Sequence, residues 1–216
     1  MMKPYERVYR NENATAQLGR MPIQNRSRER LERIQSVAIR LIAERGSESL
    51  RMSEIAEFAG ISIGSLYQYF PDKSAIIRTL AERYNAQGRT CVQATLDTIT
   101  HEDQLETALH RVVDDFYAMY LIEPALCDIW GATQADKSLQ EIDATDAEAH
   151  ASMLCNALTR LRPKAARGPL WTLAMLTMQL VATTVRLAIT FDRLQGDTII
   201  TVFKRMLPNP LYLLEP

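Results

Sequence analysis

The sequence predicts an all-α fold in two parts: an N-terminal three-helix helix-turn-helix domain and a longer helical bundle behind it. Three observations lead there. Apolar residues recur at three- and four-residue steps, and no stretch sustains the period-two alternation of a half-buried strand. Glycines number only eight and prolines nine in 216 residues, and Pro124, Pro163, Pro169 and Pro208 fall at the edges of periodic segments, where they end helices. A short helix–glycine–short helix pattern is centred on Gly60, behind a longer amphipathic segment.

Residues 1–25 are polar, basic and without period, and read as a mobile tail. A helix is expected from near Ser27, with Leu31, Ile34, Val37, Ala38, Leu41 and Ile42 on one face. Gly46 stands where a left-handed C-cap belongs. Ser53–Ala59 follows as a short helix with Ile55, Ala56 and Ala59 inward, and Gly60 makes the turn. Ser62 suits the N-cap of a second short helix, Ile63–Phe70, which Pro71-Asp72 breaks. The next helix runs from Asp72 to Leu96, with Ile76, Leu80, Tyr84 and Cys91 as packing residues. Further helices are expected over 103–121, 123–137, 143–162, 168–191 and 196–207, then an apolar tail from Asn209 to Pro216. The domain boundaries that follow are 1–25 for the tail, 26–75 for the helix-turn-helix and 76–216 for the bundle.

A net charge of −1 conceals an asymmetry. Residues 1–51 hold eleven Lys and Arg against six acids, whereas 96–150 hold thirteen acids against Arg111 and Lys137. The basic end suits an anionic partner; the acidic stretch suits either a cationic partner or ordinary solvated helix faces. Three cysteines (Cys91, Cys127 and Cys155) with no C-x-x-C pair fit free thiols in a reducing cytoplasm. No secretory signal is visible. The apolar run Leu170–Phe191 approaches bilayer length, but Gln179, Arg186 and five threonines interrupt it, which favours a buried helix and no membrane partner.

The stretch Met52–Lys73 carries the functional pattern. Ile55, Ile61, Leu66 and Phe70 are spaced to form a small core with the long first helix. That leaves Ile63, Gly64, Ser65, Tyr67, Gln68 and Tyr69 outward on the second short helix, the element such a unit lays in a DNA major groove. Gly64 allows close backbone approach, Ser65 suits a base edge or phosphate, and Gln68 suits bidentate pairing with adenine. Tyr67 and Tyr69 suit phosphate and sugar contacts, and Lys73 adds charge beside a helix end. Ser62 is a cap first and a DNA contact second. The tail either stays disordered or sends Arg20, Arg26 or Arg28 to phosphate or the minor groove.

Ile55-Ala56, Ala59-Gly60, Ser62, Leu66-Tyr67, Phe70-Pro71 and Lys73, at this spacing, resemble the DNA-binding domain of the TetR regulators. The resemblance covers roughly residues 28–80; the remaining helices match only in length, helicity and position. It implies a cytoplasmic homodimer on a palindromic double-stranded operator, a repressor released by a small-molecule effector. It also implies backbone contacts at Tyr67 and Lys73, and base contacts at Ile63, Gly64, Ser65 and Gln68. This sequence departs from the family at three places. Arg51 stands where Thr or Ser caps the second helix, leaving the cap to Ser53 while Arg51 itself meets phosphate. Ile63 replaces Lys or Arg and suits a thymine methyl, and Tyr69 replaces His. The alternative is a helical DNA-binding or protein-interaction module with no effector.

Phe116, Tyr117, Tyr120, Trp130, Met153, Trp171, Met175 and Met178 are the candidates for an effector pocket, since large flat or flexible side chains suit an apolar cavity; a plain core would use the same residues. Arg186 suits either a structural acid or a ligand carboxylate, while the acidic excess favours a cationic ligand. Ile199, Val202, Phe203 and Met206, with Ile200, offer an apolar face for dimerisation. His101 with His110, and His150 with Cys155, are poorly spaced for chelation, and no catalytic or phosphate-loop motif occurs, so neither metal, cofactor nor enzyme activity is expected.

Overall fold

In the computed structural model, residues 23–207 and Leu211 are described, and all regular structure among them is helical. The helices are α1 (Ile23–Arg45), α2 (Met52–Phe58), α3 (Ile63–Tyr69), α4 (Lys73–Leu96), α5 (Gln104–Ile122), α6 (Ala125–Ala135), α7 (Gln140–Leu161), α8 (Arg167–Ala188) and α9 (Arg193–Met206). The expected tail over 1–25 lies largely outside the described residues. Where it is described, the first helix already begins at Ile23, earlier than its polar sequence suggests.

Local chemistry fixes the ends. Gly46 takes φ +78° and Gly60 φ +64°, the left-handed region where a Cβ is costly. At Gly60 the turn is a full Schellman motif: the Ile61 amide donates to Ala56 O (3.0 Å) and the Gly60 amide to Glu57 O (3.0 Å). The Ser62 hydroxyl accepts from the Ser65 amide (3.1 Å) and Asp72 Oδ1 from the Ala75 amide (2.8 Å), capping α3 and α4. One expectation fails here. Ser53 lies inside α2 and does not cap it; Arg51 is the N-cap residue, in extended conformation and with no side-chain cap bond.

Two apolar clusters form, and they do not divide at residue 75. The first joins α1–α3 to Ile76, Ile77, Leu80, Ala81 and Tyr84 of α4 and to Ala125, Leu126 and Ile129 of α6. The second takes Val92 and Leu96 from the far end of α4, together with α5, α7, α8, Ile200 of α9 and Leu211. Because α4 is unbroken and amphipathic throughout, it serves both cores. The helix-turn-helix therefore rests on α4 and α6 as an integral part of the bundle. Three polar contacts reinforce the seat: Ser47 Oγ to Asp128 O (3.3 Å), Ser74 Oγ to Asp136 Oδ2 (3.0 Å) and Arg78 Nη2 to Ser138 O (2.6 Å).

At the opposite end, Arg162 donates through Nε to Glu102 Oε1 (2.9 Å) and through Nη2 to Oε2 (3.0 Å), tying the end of α7 to the approach of α5. These bonds hold the Glu102 carboxyl below its ordinary range. A carboxylate lowered on folding stabilises above its unfolded pKa and loses that contribution as pH falls through its folded one. The stability difference between wild type and Glu102→Gln should thus be greatest near about pH 7 and fall away as pH drops below the ordinary carboxylate range and through the folded pKa. It should stay under about 1 kcal/mol, because the pair is solvent-screened. Thermal unfolding of both proteins across that range checks it; a constant difference would show the pair to be uncoupled from folding.

α8 is long and apolar enough to cross a membrane by length and composition. Here its inner side (Leu170, Leu173, Ala174, Met178, Val181, Val185 and Ala188) is packed into the second core. Its outer side exposes Leu176, Leu180 and Leu187.

Candidate DNA interface and effector cavity

α3 presents two faces. Leu66 and, just past the helix, Phe70 are buried in the first core, while Ser62, Ile63, Gly64, Tyr67 and Gln68 are exposed. Ile63 is 43% and Tyr67 52% exposed. A methyl at Gly64 would meet nothing within 4 Å, so the backbone there is open to close approach. Ser65 is half-buried, and its hydroxyl accepts from that of Ser62 (2.9 Å). Arg51 is exposed at the start of α2.

Two of the expected contact residues sit differently from the rest. The Tyr69 ring packs against the first core and its hydroxyl lies 3.2 Å from Ser27 Oγ on α1, so it braces α3 rather than projecting from it. Lys73 turns back, and its Nζ donates to Glu48 O (3.1 Å) in the loop after α1. Its charge remains at this surface, but the side chain is also a strut. Arg20 lies outside the described residues.

The second site is a cavity of about 530 Å³ walled by α4 to α8. Phe116, Tyr120, Trp130 and Met178 line it; Tyr117, Met153, Trp171 and Met175 do not. Residue type alone could not separate the two sets, because helix rotation decides which face each side chain takes. Tyr117 stands next to Phe116 in sequence and so points elsewhere, under α9. There Arg193 lies 5.5 Å above its ring, and burial first and Asp197 second push its phenol up. Met153 and Trp171 are half-buried against the second core.

Polar groups that composition did not single out complete the cavity: Gln134, Asp143, Asp146, His150 and Gln179, together with Arg186. The Arg186 guanidinium stacks on Trp130, its carbon 4.4 Å from the ring centroid. Burial pushes the neighbouring Tyr120 phenol up to about 12, against the pull of Arg186, so the hydroxyl stays protonated and remains a donor. Asp143 Oδ2 accepts from Thr133 Oγ1 (2.6 Å) and from Gln134, and Asp146 pairs with Arg89. A pattern could have exposed some of these: Asp143, Asp146 and His150 repeat at three- and four-residue steps and so share a helix face.

α6 belongs to both sites. Trp130 and Gln134 face the cavity, Ala125 and Ile129 belong to the first core, and Leu126 touches both.

Sequence profiles agree with this architecture. That of the bacterial regulatory proteins of the tetR family matches residues 34–80, and that of the tetracyclin repressor-like C-terminal domains matches residues 103–214. The chain belongs to the TetR family. It is therefore a transcriptional regulator with a helix-turn-helix DNA-binding domain, and its family is one of regulators and not of enzymes. Among curated relatives of this TetR-family regulator are HTH-type transcriptional regulators of Staphylococcus aureus strains USA300 and NCTC 8325. Each is 32% identical over 95 residues, or 44% of this chain. The match spans only 42% of those relatives' own length. A TetR-family transcriptional regulator from Streptomyces coelicolor superposes with a TM-score of 0.64 at 25% identity, covering 86% of this chain and 99% of that one. The regulator FadR from Bacillus subtilis, solved in complex with stearoyl-CoA, superposes at 0.62 and 16% identity over 82% of this chain and 99% of its own; this likeness is one of fold.

Proposed function

We propose that this TetR-family regulator is a cytoplasmic repressor that binds a palindromic operator as a homodimer and is released when a small molecule fills the cavity. The observation that carries this reading is the double membership of α6. A ligand against Trp130 and Gln134 presses on a helix whose other side is part of the helix-turn-helix core. Moving α6 therefore moves the seat of α3. Release requires the ligand to prefer the arrangement in which the two α3 helices of a dimer no longer match the half-site spacing; equal affinity for both arrangements would switch nothing.

The dimer reading rests on an exposed apolar stripe over α8 and α9. Leu176, Leu180 and Leu187 continue into Leu194 (78% exposed), Val202 and Met206 (71% exposed). Of the four α9 residues expected at the interface, Val202 and Met206 lie on this stripe, whereas Ile199 and Phe203 are half-buried against the protomer's own core. A stripe of this extent suits a four-helix seam with a second copy. The cavity is within the usual size of ligand pockets and favours an effector-responsive protein over a purely architectural one.

On DNA, Tyr67 and Lys73 would hold phosphate, and Ser65, Gln68 and Ile63 would meet base edges, with Arg51 at the flanking backbone. The deciding experiment is capture of sheared genomic DNA from the source organism, sequenced, with Tyr67→Ala/Gln68→Ala as control. Enrichment of a few palindromic sites, lost in the control, is expected, as is a steep fall in affinity with salt. Gln68→Ala alone should change base preference at particular positions of a substitution profile. No enrichment from folded, ligand-free protein would overturn the operator reading.

A further inference from the structure

One atom in the cavity wall is chemically incomplete. His150 is only 6% exposed, and its Nε2 is buried with no hydrogen-bond partner among the described residues. The opposite nitrogen is well served: Nδ1 lies 2.9 Å from Asp146 O and 3.2 Å from Asp146 Oδ2. Two oxygens facing Nδ1 fix the proton there, so in the neutral ring Nε2 carries a lone pair and can only accept. Leaving such an acceptor dry is costly, and native structures usually satisfy it. Phe116, edge-on to the imidazole at 5.4 Å between centroids, closes one side and offers it no hydrogen bond.

The charges of the cavity balance. Asp146 is answered by Arg89, while Asp143, held by neutral donors, and Arg186, stacked on Trp130, are left as one charge of each sign. An added ionic group would leave one of them overmatched. Aromatic edges and faces from Phe116, Tyr120 and Trp130 supply the remaining wall.

We propose that the cavity binds an uncharged hydroxylated aromatic compound whose O–H donates to His150 Nε2. The inference rests on the effector reading of the cavity and names the ligand class for it. Gly88 offers a way to test it with little disturbance. A methyl there would lie 4.0 Å from His150 Nε2 and 3.6 Å from Phe116 Cε1, ordinary contact distances, so Gly88→Ala folds yet crowds the acceptor.

The experiment is calorimetric titration of the full-length protein at about pH 8, where an ordinary imidazole is neutral. The probes are 2-naphthol, 2-methoxynaphthalene, which keeps the rings and oxygen but lacks the donor, and the anion 2-naphthoate. 2-Naphthol is expected to bind at least about tenfold more tightly than either. The preference over the methoxy compound should disappear in His150→Phe, and Gly88→Ala should weaken 2-naphthol severalfold. Trp130→Ala should weaken every probe, which locates them in the cavity. Equal binding of 2-naphthol and its methyl ether, or a preference that survives both His150→Phe and Gly88→Ala, would overturn the proposal. If Trp130→Ala still weakened the probes, the effector reading would stand without it. Tightest binding by 2-naphthoate would also overturn it and assign the anchor to Arg186. Binding of no probe, or binding indifferent to Trp130→Ala, would count against both readings.

Discussion

Gly196→Ala should unseat the last helix. A Cβ at this position would stand 2.5 Å from Tyr117 Oη and 2.7 Å from the carbonyl oxygen of Ala188. The tyrosine could swing, but the carbonyl belongs to the end of α8 and cannot move unless α9 moves. Alanine favours helix over glycine by about 1 kcal/mol, so propensity alone predicts a more stable protein. The backbone collision opposes this with an overpacking cost of about 1–3 kcal/mol, and we expect it to win. A net loss of up to about 2 kcal/mol would lower Tm by as much as roughly 4–8 °C in a chain of this size. α9 carries Leu194, Val202 and Met206, so its displacement should also weaken self-association. Thermal unfolding, with light scattering after size exclusion across a dilution series, measures both. A Tm at or above wild type, with association unchanged, would show that α9 adjusts freely and that the close crossing is incidental.

Leu66→Ala and Tyr67→Ala should separate folding from DNA binding at adjacent positions. Leu66 is fully buried at the centre of the helix-turn-helix core. Truncating it removes several buried carbons and leaves a cavity, a loss of about 2–5 kcal/mol. Tyr67, half-exposed on the other face, should change stability by no more than about 0.5 kcal/mol when truncated. The DNA result should rank differently. Tyr67→Ala should lower affinity for all sequences alike at unchanged Tm, the mark of a lost backbone contact, while Leu66→Ala should lose affinity only as far as it unfolds. Chemical denaturation and titration with fluorescent genomic duplexes test the pair. If Tyr67→Ala destabilised the protein as strongly as Leu66→Ala, the assigned faces of α3 would be wrong.

The placement of α3 shows how far local sequence reaches. Its ends follow from Gly60, Ser62 and Pro71, and its inner residues from the spacing of Leu66 and Phe70. Such features act over four or five residues, within the span of a turn or a cap. The same reasoning failed at Ser53, because α2 begins two residues earlier than a capping Ser53 would require. It also put Tyr69 with the outward residues, since only the angle of α1 brings Ser27 to its hydroxyl. Lys73 is a similar case: its partner, Glu48 O, lies across the domain.

For the cavity, residue type was legible in the sequence and position was not. Of eight aromatic and methionine candidates, four line it, and apart from Arg186 the polar residues that shape its chemistry were found only once five helices were assembled. The helical class, the glycine turn, the Ser62 cap of α3 and the pattern shared with TetR regulators were all legible in the sequence, because each depends on contacts between near neighbours or on period. Tertiary structure decided the rest. It gave α4 to both cores and α6 to the first core and the cavity wall, turned Tyr117 away from Phe116, and left His150 Nε2 buried in the cavity wall without a hydrogen-bond partner among the described residues. Those outcomes depend on helix rotation and crossing, which are set by the summed packing of residues far apart in the chain.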